Sequence, residues 1–152
     1  MNNHLKAKYE QHLEFLGEEL VDINQVGLFD LQIIHLASFA GDCEDVVEAA
    51  RLGANLNAIG DLGLSPLHYA ILGGCARTVK LLLSLGGDKS IENEFGESAL
   101  EMSRILELHE ISVLLGSAEL APSFGHDAAG HAKQRWLDFK DIQEGNWGPS
   151  CE

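Results

Sequence analysis

Seven histidines, three cysteines and 24 acidic residues are the groups in this 152-residue chain that could carry chemistry. His126, Asp127 and His131 come nearest to a metal site. Two imidazoles five residues apart, with a carboxylate between, could hold a divalent ion that activates water. The spacing supplies no further fixed ligand, and a polar linker has the same composition. A metal-dependent enzyme using the His126–His131 segment therefore stands only as a remote alternative. His35 and His68 are candidate general bases, but the sequence around them also suits a structural histidine. Cys75 falls near a helix start, where a thiol pKa can drop. No base is placed to use it, so it reads as a small buried thiol. Cys43, Cys75 and Cys151 form neither a paired framework nor a Cys-x-x-Cys motif, which points to a reducing cytoplasmic setting. Glu18-Glu19 and Asp42, Glu44, Asp45 read as solvated helix starts, where negative charge suits the dipole. No phosphate-binding glycine loop, nucleophile elbow or zinc motif is present. The expectation is a protein with no catalytic residues, no cofactor and no metal.

The elements that would position these residues are organised around Gly63-Leu64-Ser65-Pro66-Leu67-His68-Tyr69-Ala70. Gly63 can take a turn geometry closed to other residues. Ser65 is a good N-cap, and Pro66 at the first helical position loses no hydrogen bond. Leu67, Ala70 and Ile71 share one helix face, and Gly73-Gly74 ends the helix. A second apolar helix over Lys80 to Leu85 closes at Gly86-Gly87. Such a unit cannot bury its apolar face alone, and it recurs at a period of 33. Upstream, Ile34-His35-Leu36-Ala37 aligns with Leu67-His68-Tyr69-Ala70, Gly41 with Gly74, and Leu52-Gly53 with Leu85-Gly86. Downstream, Gly96 aligns with Gly63 and Ser98-Ala99-Leu100 with Ser65-Pro66-Leu67.

This region, residues 20–116, resembles ankyrin repeats, whose signature and period these are. The first copy has Gln32-Ile33 in place of Thr-Pro. The third has Glu101 in place of the histidine and Glu107 in place of the glycine that ends the first helix. Terminal copies that cap a stack depart in this way. The resemblance implies an all-α fold: an ankyrin-repeat solenoid of helix-turn-helix units in a small, free-standing domain. It also implies that the histidine ties neighbouring turns together.

The sequence predicts three segments. Residues 1–24 form an N-terminal capping helix or half repeat, with one helix over 3–20 and Ile23-Asn24 in register with Leu56-Asn57. Residues 25–116 form three repeats, with helix pairs near 32–39 and 43–52, 65–73 and 76–85, then 98–106 and 109–115. Residues 117–152 form a linker and a C-terminal cap or tail. Gly116–Gly130 reads as linker, His131–Ile142 as a helix, and Asn146-Trp147-Gly148-Pro149 as a turn. Trp136 and Phe139 are expected on the third copy as a cap. The competing placement puts the aromatic tail, with Trp147, in the groove of the stack.

The resemblance places a concave binding surface at the hairpin tips and the outward side of each first helix. Those positions are Leu28, Phe29, Leu31, Phe39 and Ala40, then Asp61, Leu62, Leu64, Leu72 and Gly73, then Glu94, Phe95, Glu97, Ile105 and Leu106. Partner contact is expected at Phe29, Leu31, Phe39, Asp61, Leu62, Leu64, Leu72, Glu94, Phe95 and Glu97. Many are large and apolar where a solvated surface would be polar, as at an interface. The formal charge of −14 disfavours nucleic acid and anionic membrane and suits either a basic protein partner or plain solubility. Two binding roles follow. One is inhibition of a basic client, as an immunity protein masks a bacterial toxin. The other is an adaptor joining two proteins.

Overall fold

The computed structural model describes residues 1–116 and 126–148, and every regular element there is a helix. The first, α1 (Asn3–Tyr9), is capped by the Asn2 side chain on the His4 amide. It stops well short of Leu20. The chain turns at His12, whose amide bonds the Tyr9 carbonyl, and makes a single 3₁₀ turn at Leu13–Phe15. Gly17 then sits at φ 90°, a conformation that ends any helix there. The Glu10 carboxylate accepts the Leu20 amide and folds the segment back. The apolar spacing of 3–20 is therefore spent on two short pieces.

The repeat register predicted from Ile23-Asn24 is visible as a ladder. The Asn24 carboxamide oxygen accepts the Asn55 amide at 2.7 Å, and Asn57 accepts the Asp88 amide at 2.8 Å. Three helix pairs follow within a residue of the predicted bounds: α2 (Ile33–Ala40) and α3 (Cys43–Arg51), α4 (Pro66–Gly73) and α5 (Ala76–Ser84), α6 (Ala99–Ile105) and α7 (His109–Leu114). The punctuation explains that agreement. Gln32, Ser65 and Ser98 occupy the N-caps, each donating its amide to the side chain three residues on, and the two serines also accept the amide there. Gly41 and Gly74 close α2 and α4 in the left-handed conformation.

The helices stack in two rows, α2–α4–α6 and α3–α5–α7. Between them lies one core that includes Ile34, Val46, Leu67, Ile71, Val79, Leu82 and Met102. Each such side chain contributes about 1.5–3 kcal/mol by leaving water. Gly73 is needed where α4 meets α2: a methyl group there would collide with the Phe39 carbonyl oxygen. α1 flanks the second row, with Lys8 and Tyr9 both on the buried carboxylate of Asp45.

The last helix, α8 (His126–Trp147), starts inside the predicted linker and includes Asn146 and Trp147, which were expected in a turn. The rest of the predicted linker, 117–125, lies outside the described residues. α8 packs on α6 and α4, along the row of first helices.

Candidate partner-binding surface

Each hairpin tip is built by a backbone constraint. In the first two copies the chain turns with positive φ at both central residues, Phe29 (57°) and Asp30 (59°), then Leu62 (57°) and Gly63 (73°). This geometry suits Asn or Gly. Phe29 and Leu62 are held in it at a cost of roughly 1–2 kcal/mol each. The constraint leaves Phe29 66% exposed beside exposed Leu28. Leu62 is half-buried and Phe95 is exposed at the third tip. Asp61 and Glu94 sit beside these tips.

The remaining predicted contact residues lie inward. Leu31, Phe39, Leu64, Leu72 and Glu97 are all buried. A methyl group at Gly60, in the next copy, would collide with Leu31, so Leu31 packs repeat on repeat. Leu31, Leu64 and Glu97 are equivalent: each follows the tip and returns a carbonyl to the amide four residues earlier. The third copy thus carries a carboxylate where the others carry leucine.

α8 explains that carboxylate. Glu97 is 5% exposed, and it accepts Arg135 at 2.6 Å and the indole N–H of Trp136 at 3.2 Å. The Arg135 guanidinium also lies 3.7 Å from the centre of the Phe95 ring. Trp136 is fully buried, edge-on to both Phe95 and Phe139. Trp136 therefore packs on the third hairpin, while Val113 and Leu114 of α7 stay exposed. Trp147, at the other end of α8, sits in the groove: its ring lies 5.3 Å from Phe39 and 5.7 Å from Tyr69. Its indole N–H donates to Glu14 at 2.8 Å. The two tryptophans thus meet different parts of the stack, one near each end of one helix. The Glu14 and Glu97 anchors were not found from the sequence. The repeat alignment did hold a signal for Glu97, since it breaks a leucine row.

His35 and His68 are both tied to backbone. His68 Nδ1 accepts the Ser65 amide at 3.1 Å, so Nε2 carries the proton and donates to the Glu97 carbonyl at 3.2 Å. His35 does the same between the Gln32 amide and the Ala58 carbonyl. Burial pushes both imidazoles down to about 4. Ser65 Oγ lies 2.8 Å from His68 Nδ1. That pair has no open side for a substrate, because both residues are buried and the other imidazole nitrogen is committed to backbone. Burial also raises the Glu14 carboxyl, against the indole N–H that lowers it. Cys75 is disulfide-bonded and is not the buried thiol expected. Among the described residues no three His, Cys, Asp or Glu side chains gather as a metal site. The side chains of His126 and Asp127 lie outside them. No helix among them is long and apolar enough to cross a membrane.

Capped helix pairs stacked in two rows with protruding hairpins define a helical repeat solenoid. Ankyrin repeats (many copies) is the family whose sequence model matches, over residues 49–103. The chain is an ankyrin-repeat protein, and such repeats bind other proteins. It is 28% identical over 88 residues to protein phosphatase 1 regulatory subunit 27 of Mus musculus, covering 58% of this chain and 57% of that protein. The Homo sapiens counterpart matches with the same identity and coverage. The ADP-ribosylation factor GTPase-activating protein AGD4 of Arabidopsis thaliana is 35% identical over 80 residues, 53% of this chain and 10% of that protein. The chain thus spans less than two thirds of each of these relatives.

Proposed function

We propose that this chain is a non-catalytic binding module that inhibits or regulates a basic client protein. The observation that carries the reading is Phe29: a large aromatic held in a strained turn with its ring in water. Strain of this kind is kept where function uses it. Leu28 and Leu62 extend the apolar contact, while Asp61 and Glu94 orient a basic partner and speed its encounter. The net charge of −14 acts in the same sense and disfavours nucleic acid and anionic membrane. A regulatory subunit among the relatives supports regulation over scaffolding. A basic toxin held by an immunity-type inhibitor is one client that fits.

Of the ten predicted contact residues, Phe29, Asp61, Leu62, Glu94 and Phe95 form the accessible part. Leu31, Phe39, Leu64, Leu72 and Glu97 lie deeper. Affinity capture with the full chain, followed by mass spectrometry, identifies the client. Phe29→Asp with Leu62→Asp should then weaken binding by at least about 2 kcal/mol with the fold intact. Unchanged affinity rejects this surface. A stoichiometric metal in purified protein would reject the non-catalytic reading.

A further inference from the structure

The chain has two tryptophans, and both lie on α8. Eleven residues is three helical turns, so Trp136 and Trp147 share one face about 16 Å apart. Each donates its indole N–H to a buried glutamate, and the two glutamates come from opposite ends of the stack: Glu97 in the third hairpin, Glu14 in the N-terminal segment. α8 is thereby clipped at both ends across the groove.

The two clips differ in quality. At the Trp136 end Glu97 is engaged by Arg135, Trp136 and the Asn93 carboxamide, and Arg135 Nε is left without a partner. At the Trp147 end three buried polar atoms have no partner: Glu14 Oε2, the Tyr69 hydroxyl and His12 Nδ1. All three belong to residues around the Trp147 ring, which lies 6.5 Å from His12. Glu14 is only 6% exposed and Tyr69 is fully buried, and a buried polar group without a protein partner is costly. α8 is also a poor match in charge. Residues 1–116 hold 18 acidic and 7 basic residues, while α8 holds 4 acidic and 3 basic. An occupant that carried more positive charge, with a donor for Glu14 Oε2, would fill this groove better.

We propose that the groove is a receptor for a basic amphipathic helix of the client, with aromatic hydrogen-bond donors three turns apart and a cation beside each, and that α8 is its intramolecular stand-in. This rests on the protein-binding reading above. The client's helix reaches Phe39 and Glu97 by displacing α8, and its second cation pairs the Glu14 oxygen that α8 leaves alone. A second copy's α8 is the competing occupant.

The test uses a fluorescein-labelled synthetic peptide of residues 131–148, read by anisotropy against the full chain. Its Kd should be at least tenfold lower for the Trp136→Ala/Trp147→Ala chain, whose own helix is unclipped, than for the unaltered chain. Asp138→Lys with Asp141→Lys in the peptide, both on its exposed side, should tighten binding about tenfold at low salt, and added salt should erase the gain. Trp136→Ala or Trp147→Ala in the peptide should cost tenfold or more. A folded, unclipped chain that ignores the peptide, or binds the tryptophan-free peptide equally well, overturns the proposal. If the double variant unfolds, hydrogen exchange in the unaltered chain decides. α8 amides should exchange at least tenfold faster than those of α4, and matched rates overturn the proposal. A dimer with exchanged α8 helices overturns the client helix in favour of a second copy. A client that binds through Phe29 while α8 stays shut rejects this inference and leaves the protein-binding reading standing.

Discussion

The middle and third copies share a plan and differ where the third meets α8. Leu64 becomes Glu97, which takes Arg135 and Trp136. Gly74 becomes Glu107, which takes Lys133 at 2.7 Å and keeps the glycine's left-handed backbone at φ 59°. His68 becomes Glu101, which still closes its own cap by accepting the Ser98 amide at 3.0 Å. The middle copy holds its neighbour through a histidine. The third has no following copy and holds a helix through two carboxylates. A departure from a repeat consensus can therefore be a docking site rather than decay at the end of a stack.

Acid should separate the two designs most strongly. His35 and His68, in the first two copies, titrate near 4 when folded against 6.5 when free. Between those values the unfolded chain binds more protons, so stability falls as pH drops from about 6.5 towards 4. The loss is on the order of 2–3 kcal/mol per histidine. Urea melts across that range should show it. A flat profile would mean that the imidazoles are not buried neutral donors.

Next in size is Glu97→Leu, which makes the third copy read like the others at that position. The repeats should remain folded, while the Arg135 and Trp136 donors lose their acceptor at a cost of about 2–3 kcal/mol to docking. Both tryptophans report on α8, so their emission should shift to the red without loss of helical signal. An unshifted spectrum would show that apolar contact alone holds α8.

Much of this comparison was legible in the sequence. The helix bounds followed from residues that act locally: Ser65 and Ser98 as caps, Pro66 at a first turn, Gly41 and Gly74 as stops. Asn24 was legible because its ladder repeats 33 residues on at Asn57. The end of α1 was missed because Leu13, Leu16 and Leu20 keep a helical spacing across Gly17, whose φ breaks the helix. α8 was only half read, because Gly130 and Gly145 lie within a helix stabilised by packing rather than by propensity. The bond from Trp147 to Glu14 crosses 133 positions, and no local pattern encodes it.

His68→Ala and Glu101→Ala sharpen the comparison at equivalent positions. His68 bridges two copies through buried bonds, so its loss should cost about 1–3 kcal/mol. Glu101 caps only its own helix and should cost about 1 kcal/mol or less. Thermal melts of the two variants rank them, and equal losses would mean that the bridge to Glu97 adds nothing.

The smallest effect is a gain, and it isolates what α8 adds to the third copy. Asp30 and Glu107 both hold positive φ where the middle copy has Gly63 and Gly74. Asp30→Gly relieves that strain alone and should stabilise the fold by about 1 kcal/mol. Glu107→Gly relieves similar strain but also removes the carboxylate from Lys133, which holds it below its usual pKa range. Its rise in Tm should therefore be the smaller of the two. With Lys133→Ala already in place the ion pair is gone, and the two glycine substitutions should raise Tm equally. If the gap persists without Lys133, the pair contributes nothing, and Glu107 keeps its place for a reason unrelated to α8.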